Sequence, residues 1–293
     1  MQGKIIKGIA GFYYVYTEEA GILECKAKGI FRKQGTKPLV GDDVLVEKLP
    51  GEEGIGNITS ILERRSELIR PNVANVDQAV VIFALTHPEP NFNLLDRFLI
   101  MMKQQDIPVA IVFNKSDLAD DETREEIFDI YAGSDVPLLF VSAKYGIGMD
   151  VFEALIKGKT TTVAGPSGVG KSTIINHLLG DEVMETGAIS AKVDRGKHTT
   201  RHSEFFALGK DTFILDTPGF SSLDVFDLKK EELKDYYPEF AESGDKCRFR
   251  GCAHINEPDC DVKRRLANCE INRVRYDNYC QIYTELANKR EKY

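Results

Sequence analysis

Near the middle of a 293-residue chain, Gly165-Pro166-Ser167-Gly168-Val169-Gly170-Lys171-Ser172 fits the spacing GxxxxGK[ST]. A strand-like run over 160–164 precedes it and a helix-like run over 172–179 follows. In that strand–loop–helix setting the motif is a phosphate cradle. Loop N–H groups and the helix N-terminus bind the phosphates. Gly168 and Gly170 permit an approach that a Cβ would block. Lys171 would reach the β- and γ-phosphates, and Ser172, followed by Thr173, would ligate Mg²⁺. The motif obliges the surrounding chain to build a parallel α/β sheet.

The companion motifs lie in an unusual order. Asn114-Lys115-Ser116-Asp117 reads NKxD, and Ser142-Ala143-Lys144 reads SAK. Both precede the phosphate loop, whereas Asp216-Thr217-Pro218-Gly219, a DxxG element, follows it. A sequence of phosphate loop, DxxG, NKxD and SAK has therefore been circularly permuted. Asp117 can accept two hydrogen bonds from guanine N1–H and the exocyclic amine. Adenine lacks both donors and would leave the carboxylate unpaired, so the site reads GTP over ATP. Asn114 would hold the loop, the Lys115 stem would cover a base face, and the SAK backbone would offer an N–H to guanine O6. Asp216 is placed to hold the Mg²⁺ shell, and the Gly219 N–H to meet the γ-phosphate. Phe220 stands where many GTPases carry a water-orienting glutamine. His198, in Gly196-Lys197-His198-Thr199-Thr200, is the candidate substitute, with a solvated loop histidine as the other reading. Thr199 or Thr200 would complete the Mg²⁺ shell.

Around this core the patterning changes. Residues 1–66 read as short Gly-punctuated strands, which suits a small closed barrel of the OB type; an SH3-like barrel fits almost as well. Residues 67–222 alternate apolar strands with helices, as a mostly parallel sheet covered on both faces requires. Residues 223–293 begin with a short helix over 228–236 and end in a mostly helical stretch over 262–290. Its expected buried stripe comprises Val262, Leu266, Cys269, Val274, Ile282 and Leu286. Between them, Cys247, Cys252, His254 and Cys260 offer three sulfurs and one imidazole within fourteen residues. That is a closed four-ligand set for structural Zn²⁺, with no position for metal chemistry. Cys25, Cys269 and Cys280 read as small buried or partly buried apolar residues.

Composition is consistent with a globular chain, at 42% hydrophobic and 29% charged residues. No apolar run is long enough to span a membrane, and the N-terminus lacks a signal-peptide core, so a cytoplasmic location is expected. The net charge of −8 is uneven: residues 1–65 carry 10 Lys/Arg against 9 Asp/Glu, and 261–293 carry 8 against 5. The middle is acidic, which makes the terminal modules the better RNA-facing parts, although charge alone favours the other reading, an ordinary mild imbalance.

Together, the permuted NKSD–SAK–GPSGVGKST–DTPGF order, the small N-terminal barrel and the Cys-x4-Cys-x-His-x5-Cys element resemble the RsgA (YjeQ/YloQ) family of small-subunit biogenesis GTPases. The resemblance covers the whole chain. It implies an OB-fold over 1–66, a permuted GTPase domain over 67–222 and a zinc-binding helical domain over 223–293. It also implies a GTP hydrolase that binds the small (30S) ribosomal subunit late in assembly, is stimulated by it and contacts its rRNA. A monomer is expected. The other reading is a GTP-gated rRNA scaffold in which hydrolysis is incidental. Because the chain leaves the GTPase core just after Phe220, hydrolysis is expected to loosen 219–222 and shift the zinc module.

Overall fold

The structure, a computed structural model, describes residues 1–27, 31, 37–68, 72–180, 204–209, 211–216 and 228–288. Five strands open it: β1 (Gln2–Ile9), β2 (Phe12–Thr17), β3 (Gly21–Ala27), β4 (Asp43–Lys48) and β5 (Ile55–Ile61). They pair in the order β1-β2-β3-β5-β4, and β4 returns to β1 to close a barrel. The β3–β5 pair is parallel and the other ladders are antiparallel. This is an OB-type barrel, which decides against the SH3-like alternative. Ile5, Val15, Leu23, Cys25, Val44, Val46 and Ile58 fill it. Strand β1 gave no clean alternation in the sequence because Lys4 is buried within it. Its ammonium group donates to the Gly41 carbonyl (3.2 Å) and pairs with Asp43 (2.9 Å).

A two-stranded ladder, β6 (Glu67–Leu68) with β7 (Val73–Ala74), leads into the α/β region. There follow β8 (Gln78–Ala84), α1 (Phe92–Gln104), β9 (Val109–Asn114), α2 (Asp121–Tyr131), β10 (Leu138–Phe140), α3 (Met149–Ile156), β11 (Thr160–Ala164), α4 (Lys171–Leu179), β12 (Glu204–Ala207) and β13 (Phe213–Asp216). The order is β10-β9-β8-β11-β13-β12, with only β12 antiparallel to its neighbour β13. Strand β8 is buried along its whole length because it feeds two cores by its period of two. Ala79, Val81 and Phe83 face the α1/α2 side, while Val80, Ile82 and Ala84 face the α3/α4 side. Strand β12 also pairs with β1, at Lys7↔Glu204, so barrel and α/β sheet form one eleven-stranded sheet. The sequence reading included neither β1 nor β12 as a strand.

The C-terminal region is less helical than expected. Over 228–236 only Leu233–Tyr236 winds, as a 3₁₀ turn. Tyr237 is extended (φ −112°, ψ 93°), as the residue before Pro238 must be. The 262–290 stretch is two helices, α5 (Asp261–Ala267) and α6 (Arg273–Asn288). Between them Cys269 takes a left-handed φ of 59° and is exposed, which corrects its expected burial. Cys25 is buried and Cys280 half-buried. No helix among the described residues is long and apolar enough to cross a membrane.

Candidate functional site

The carboxyl ends of β8, β9, β11 and β13 lie along one edge of the parallel sheet, the edge where such sheets bind ligands. From β11 the chain enters the phosphate loop at Gly165, whose φ is +144°. A Cβ there would lie 2.1 Å from the Ile82 carbonyl oxygen. Gly170, at φ +93°, would place a Cβ 2.3 Å from the Asn114 amide nitrogen. These two close approaches wedge the loop between β8 and the NKSD loop, and only glycine permits them. Ser167 and Gly168 are exposed, Val169 is buried, and Pro166, Ser172 and Thr173 are half-buried. Lys171 begins α4, and its ammonium group donates to the carbonyls of Gly165 (2.9 Å) and Pro166 (2.7 Å).

Asn114 ties three motifs together. Its Nδ2 donates to the Val169 carbonyl (3.0 Å), and its Oδ1 accepts from the Ala143 N–H (3.1 Å). The second bond uses one of the SAK backbone donors that the sequence reading offered to guanine. Lys115 is left-handed (φ 63°), and its Nζ reaches the Gly168 carbonyl at 2.7 Å. The stem therefore crosses from the guanine loop to the phosphate loop, where a base face would lie. Buried Ser116 donates its N–H to Val141, and its carbonyl accepts from Arg124. The Ser142 hydroxyl donates to Asp117 Oδ1 (2.5 Å), which fixes the carboxylate expected to read guanine. A bridge between Ser142 and Ile147 closes the SAK loop on itself, with Lys144 at its exposed turn. Asp216 ends β13, opposite Val163 and Glu204. His198, Thr199, Thr200 and Gly219 lie outside the described residues.

The glycine cradle and the Asn114 bridge fit a guanine nucleotide. The metal-ligand set converges as well. The donor atoms of Cys247, Cys252, His254 and Cys260 all lie within 4.8 Å of one another. His254 Nδ1 is 3.3 Å from Cys260 Sγ and 3.6 Å from Cys247 Sγ, and those two sulfurs are 4.0 Å apart. Such separations are the edges of a tetrahedron around one ion with metal–sulfur bonds of about 2.3 Å. His254 adopts φ 61° to point inward. Tyr276 and Tyr279 hydroxyls hold its carbonyl and that of Ala253 (2.7 and 2.6 Å). Burial pushes the Cys252 thiol up to about 12 and raises Cys260 too. Neutral thiols gain little there; a bound cation would convert them to thiolates.

The sequence reading missed the device that fastens this module to the GTPase core. Asp96 of α1 and Arg275 of α6 are both buried and form an ion pair across the interface. Arg275 also pairs with Glu239 (2.7 Å) and lies 4.6 Å from the Tyr237 ring centroid. Asn278 (2.8 Å) and Tyr131 (3.2 Å) donate to Asp96. The only sequence signal was an acid set among Leu95, Phe98 and Leu99. Beside this junction a cavity of about 940 Å³ runs between Pro108, Val109 and Lys159 on one side and Tyr236, Phe240 and His254 on the other. The C-terminal module thus packs along α1, from Asn93 and Arg97 at its start to Lys103 at its end, and reaches the amino end of β9 beside the cavity.

Fold and site together define a circularly permuted GTPase. Residues 61–226 match the RsgA GTPase family and residues 2–55 the RsgA N-terminal domain. The chain is 56% identical, over all of both chains, to the small ribosomal subunit biogenesis GTPase RsgA of Agathobacter rectalis. It is 49% identical to that of Clostridium beijerinckii, over 98% of this chain and 97% of the relative. The crystal structure of YjeQ from Thermotoga maritima superposes with a TM-score of 0.78 at 34% identity, covering 99% of each chain. That of YloQ, a circularly permuted GTPase, gives 0.75 at 36%, covering 100% of this chain and 96% of the other. The chain belongs to the RsgA family of GTPases and is a GTP hydrolase.

Proposed function

We propose that this GTPase is a late assembly factor and checkpoint for the small ribosomal subunit, whose binding stimulates its hydrolysis. The relatives are named for small-subunit biogenesis. The observation that carries the reading is the continuous sheet. An OB-type barrel, an architecture that binds oligonucleotides, is hydrogen-bonded through β1–β12 to β13, which ends on Asp216. On the barrel surface Lys26 lies 5.1 Å from the Phe12 ring centroid, a basic-aromatic pair suited to RNA. Residues 1–66 act as the rRNA-binding domain, 67–222 as the GTPase and 223–293 as a zinc-stabilised domain that also meets rRNA. The protein works in the cytoplasm as a monomer.

In this reading Asp117, Asn114, Lys115, Ser116 and the 142–144 loop hold guanine, while 165–173 hold the phosphates. Ser172 and Asp216 would hold Mg²⁺, which would supply charge neutralisation to the phosphates. Thr199 or Thr200 joins that shell, Gly219 senses the γ-phosphate, and His198 orients the attacking water in place of glutamine. Cys247, Cys252, His254 and Cys260 hold one structural Zn²⁺.

GTP turnover with and without purified small subunits, at matched salt and with large subunits as control, tests the reading. Stimulation by the small subunit alone is expected, with His198→Ala abolishing it. Binding confined to the GTP state without stimulation would replace the enzyme reading by a GTP-gated scaffold; neither binding nor stimulation would remove the ribosomal assignment.

A further inference from the structure

Cys247 and Cys252 bracket four residues, Arg248, Phe249, Arg250 and Gly251, that take no part in the nucleotide site. The two sulfurs converge with His254 and Cys260, so both ends of this loop are pinned. Gly251, at φ 72°, turns the chain back. The module has an aromatic core of Tyr237, Phe240, Tyr276 and Tyr279. Phe249 is excluded from it and remains 43% exposed. The Arg248 guanidinium lies 5.6 Å from the Phe249 ring centroid and is held by Asp259 at 2.8 Å. Lys246 and Arg250 are exposed beside it, and Arg250 makes no hydrogen bond or ion pair among the described residues.

A flat apolar ring held in water on a short pinned loop, framed by three cations, matches a ligand with a flat face and an anionic backbone. Base–aromatic stacking tolerates any base because every base has a π-face. The loop's closure lowers the ordering cost of such a contact. An acidic peptide would use the cations but has no need of the ring. We propose that Phe249 is a stacking platform for an unpaired nucleotide of single-stranded RNA, with Arg250 and Lys246 meeting the flanking phosphates. The proposal deepens the ribosomal reading and rests on it for the source of the RNA.

The chain contains no tryptophan, so Phe249→Trp introduces a single reporter that retains a stacking face. Full-length protein, with zinc content and intrinsic GTP turnover as fold controls, is titrated with fluorescein-labelled octauridine and with an RNA duplex of equal length. Phe249→Ala is expected to weaken octauridine binding about tenfold, without changing the salt slope, and to leave duplex binding unaltered. Phe249→Trp should bind like the parent chain and lose emission as RNA is added. Arg250→Ala should lower the salt slope by about one. Unchanged octauridine affinity in Phe249→Ala, or unchanged emission in Phe249→Trp, overturns the platform. So does equal competition by polyglutamate, which would assign the loop to an acidic polypeptide. Failure of the parent chain to bind small subunits while these oligonucleotide results hold would remove the ribosomal source and leave the platform standing.

Discussion

At Gly165 a single methyl group decides whether the phosphate loop can exist. The added Cβ would sit 2.1 Å from a backbone carbonyl of β8, in the middle of the sheet, and at a φ that L side chains rarely adopt. Neither neighbour can move without breaking a ladder. Gly165→Ala should therefore abolish GTP binding in a direct titration and lower the thermal midpoint; retained micromolar binding would contradict the wedge geometry. Asp117 is decided by polarity rather than space. Its carboxylate, fixed by Ser142, would present two acceptors to guanine in the proposed site. Asp117→Asn turns one acceptor into a donor, which suits the 2-carbonyl of xanthine. GTP affinity is expected to fall at least about 100-fold, by the loss of charge-assisted bonds of about 1.5–3 kcal/mol each, and XTP affinity to rise. Competition of the two nucleotides for the variant checks this. Asn114 adds a third kind of constraint, because one amide spans both other loops.

At the scale of elements, α1 and α6 meet through charge rather than apolar packing alone. Removing Arg275 strands Asp96 in a site where it is about 1% exposed. Breaking a buried pair in this way costs about 3–5 kcal/mol, whereas replacing both partners by apolar groups is far milder. Arg275→Met should destabilise the chain by that amount in urea unfolding, and the Asp96→Leu/Arg275→Met double variant should recover most of the loss. Additive single and double effects would show that the pair is not coupled. The Cys/His cluster acts on the same element boundary. The 253–254 carbonyls held by Tyr279 and Tyr276 connect the cluster to α6. Stripping the metal with a chelator should melt the C-terminal module first and expose the α1 face, read as a loss of tyrosine burial in near-ultraviolet circular dichroism. Native spectra after the metal is shown to be gone would count against a structural ion.

Over the whole molecule, the two flanking modules are joined to the GTPase core in different ways. The barrel shares hydrogen bonds with β12, next to the strand that ends at Asp216. The C-terminal module is clamped to α1 and α2, which cover one face of the sheet. The sequence reading had hydrolysis loosening 219–222 and shifting that module; those residues lie outside the described chain, but the clamp constrains how it can move. Any shift must either break the Asp96–Arg275 pair or carry α1 and α2 along. Spin labels at exposed positions 126 and 287 should show the same separation with GDP and with a non-hydrolysable GTP analogue; a change of several ångströms would mean that the clamp opens.

Local chemistry was legible without coordinates. The phosphate loop, NKSD, SAK and the four metal-ligand positions each lie within a few consecutive residues, and their chemistry follows from residue type and spacing. The continuous apolar run of β8 likewise showed a strand buried on both faces. The closed barrel was legible but its first strand was not, because Lys4 of β1 is buried between the barrel and Phe213, at a cost met by Asp43 and the Gly41 carbonyl, far along the chain. The split of the C-terminal helix depended on a left-handed Cys269 that no periodicity marks. The sequence by itself determined the permuted order of the nucleotide-binding loops and which four Cys/His side chains come together. Only the tertiary structure decided that β12 joins the barrel to the GTPase sheet and that Asp96 meets Arg275, 179 residues away. A partnership across that distance is selected by burial and geometry, which leave no trace in either local stretch.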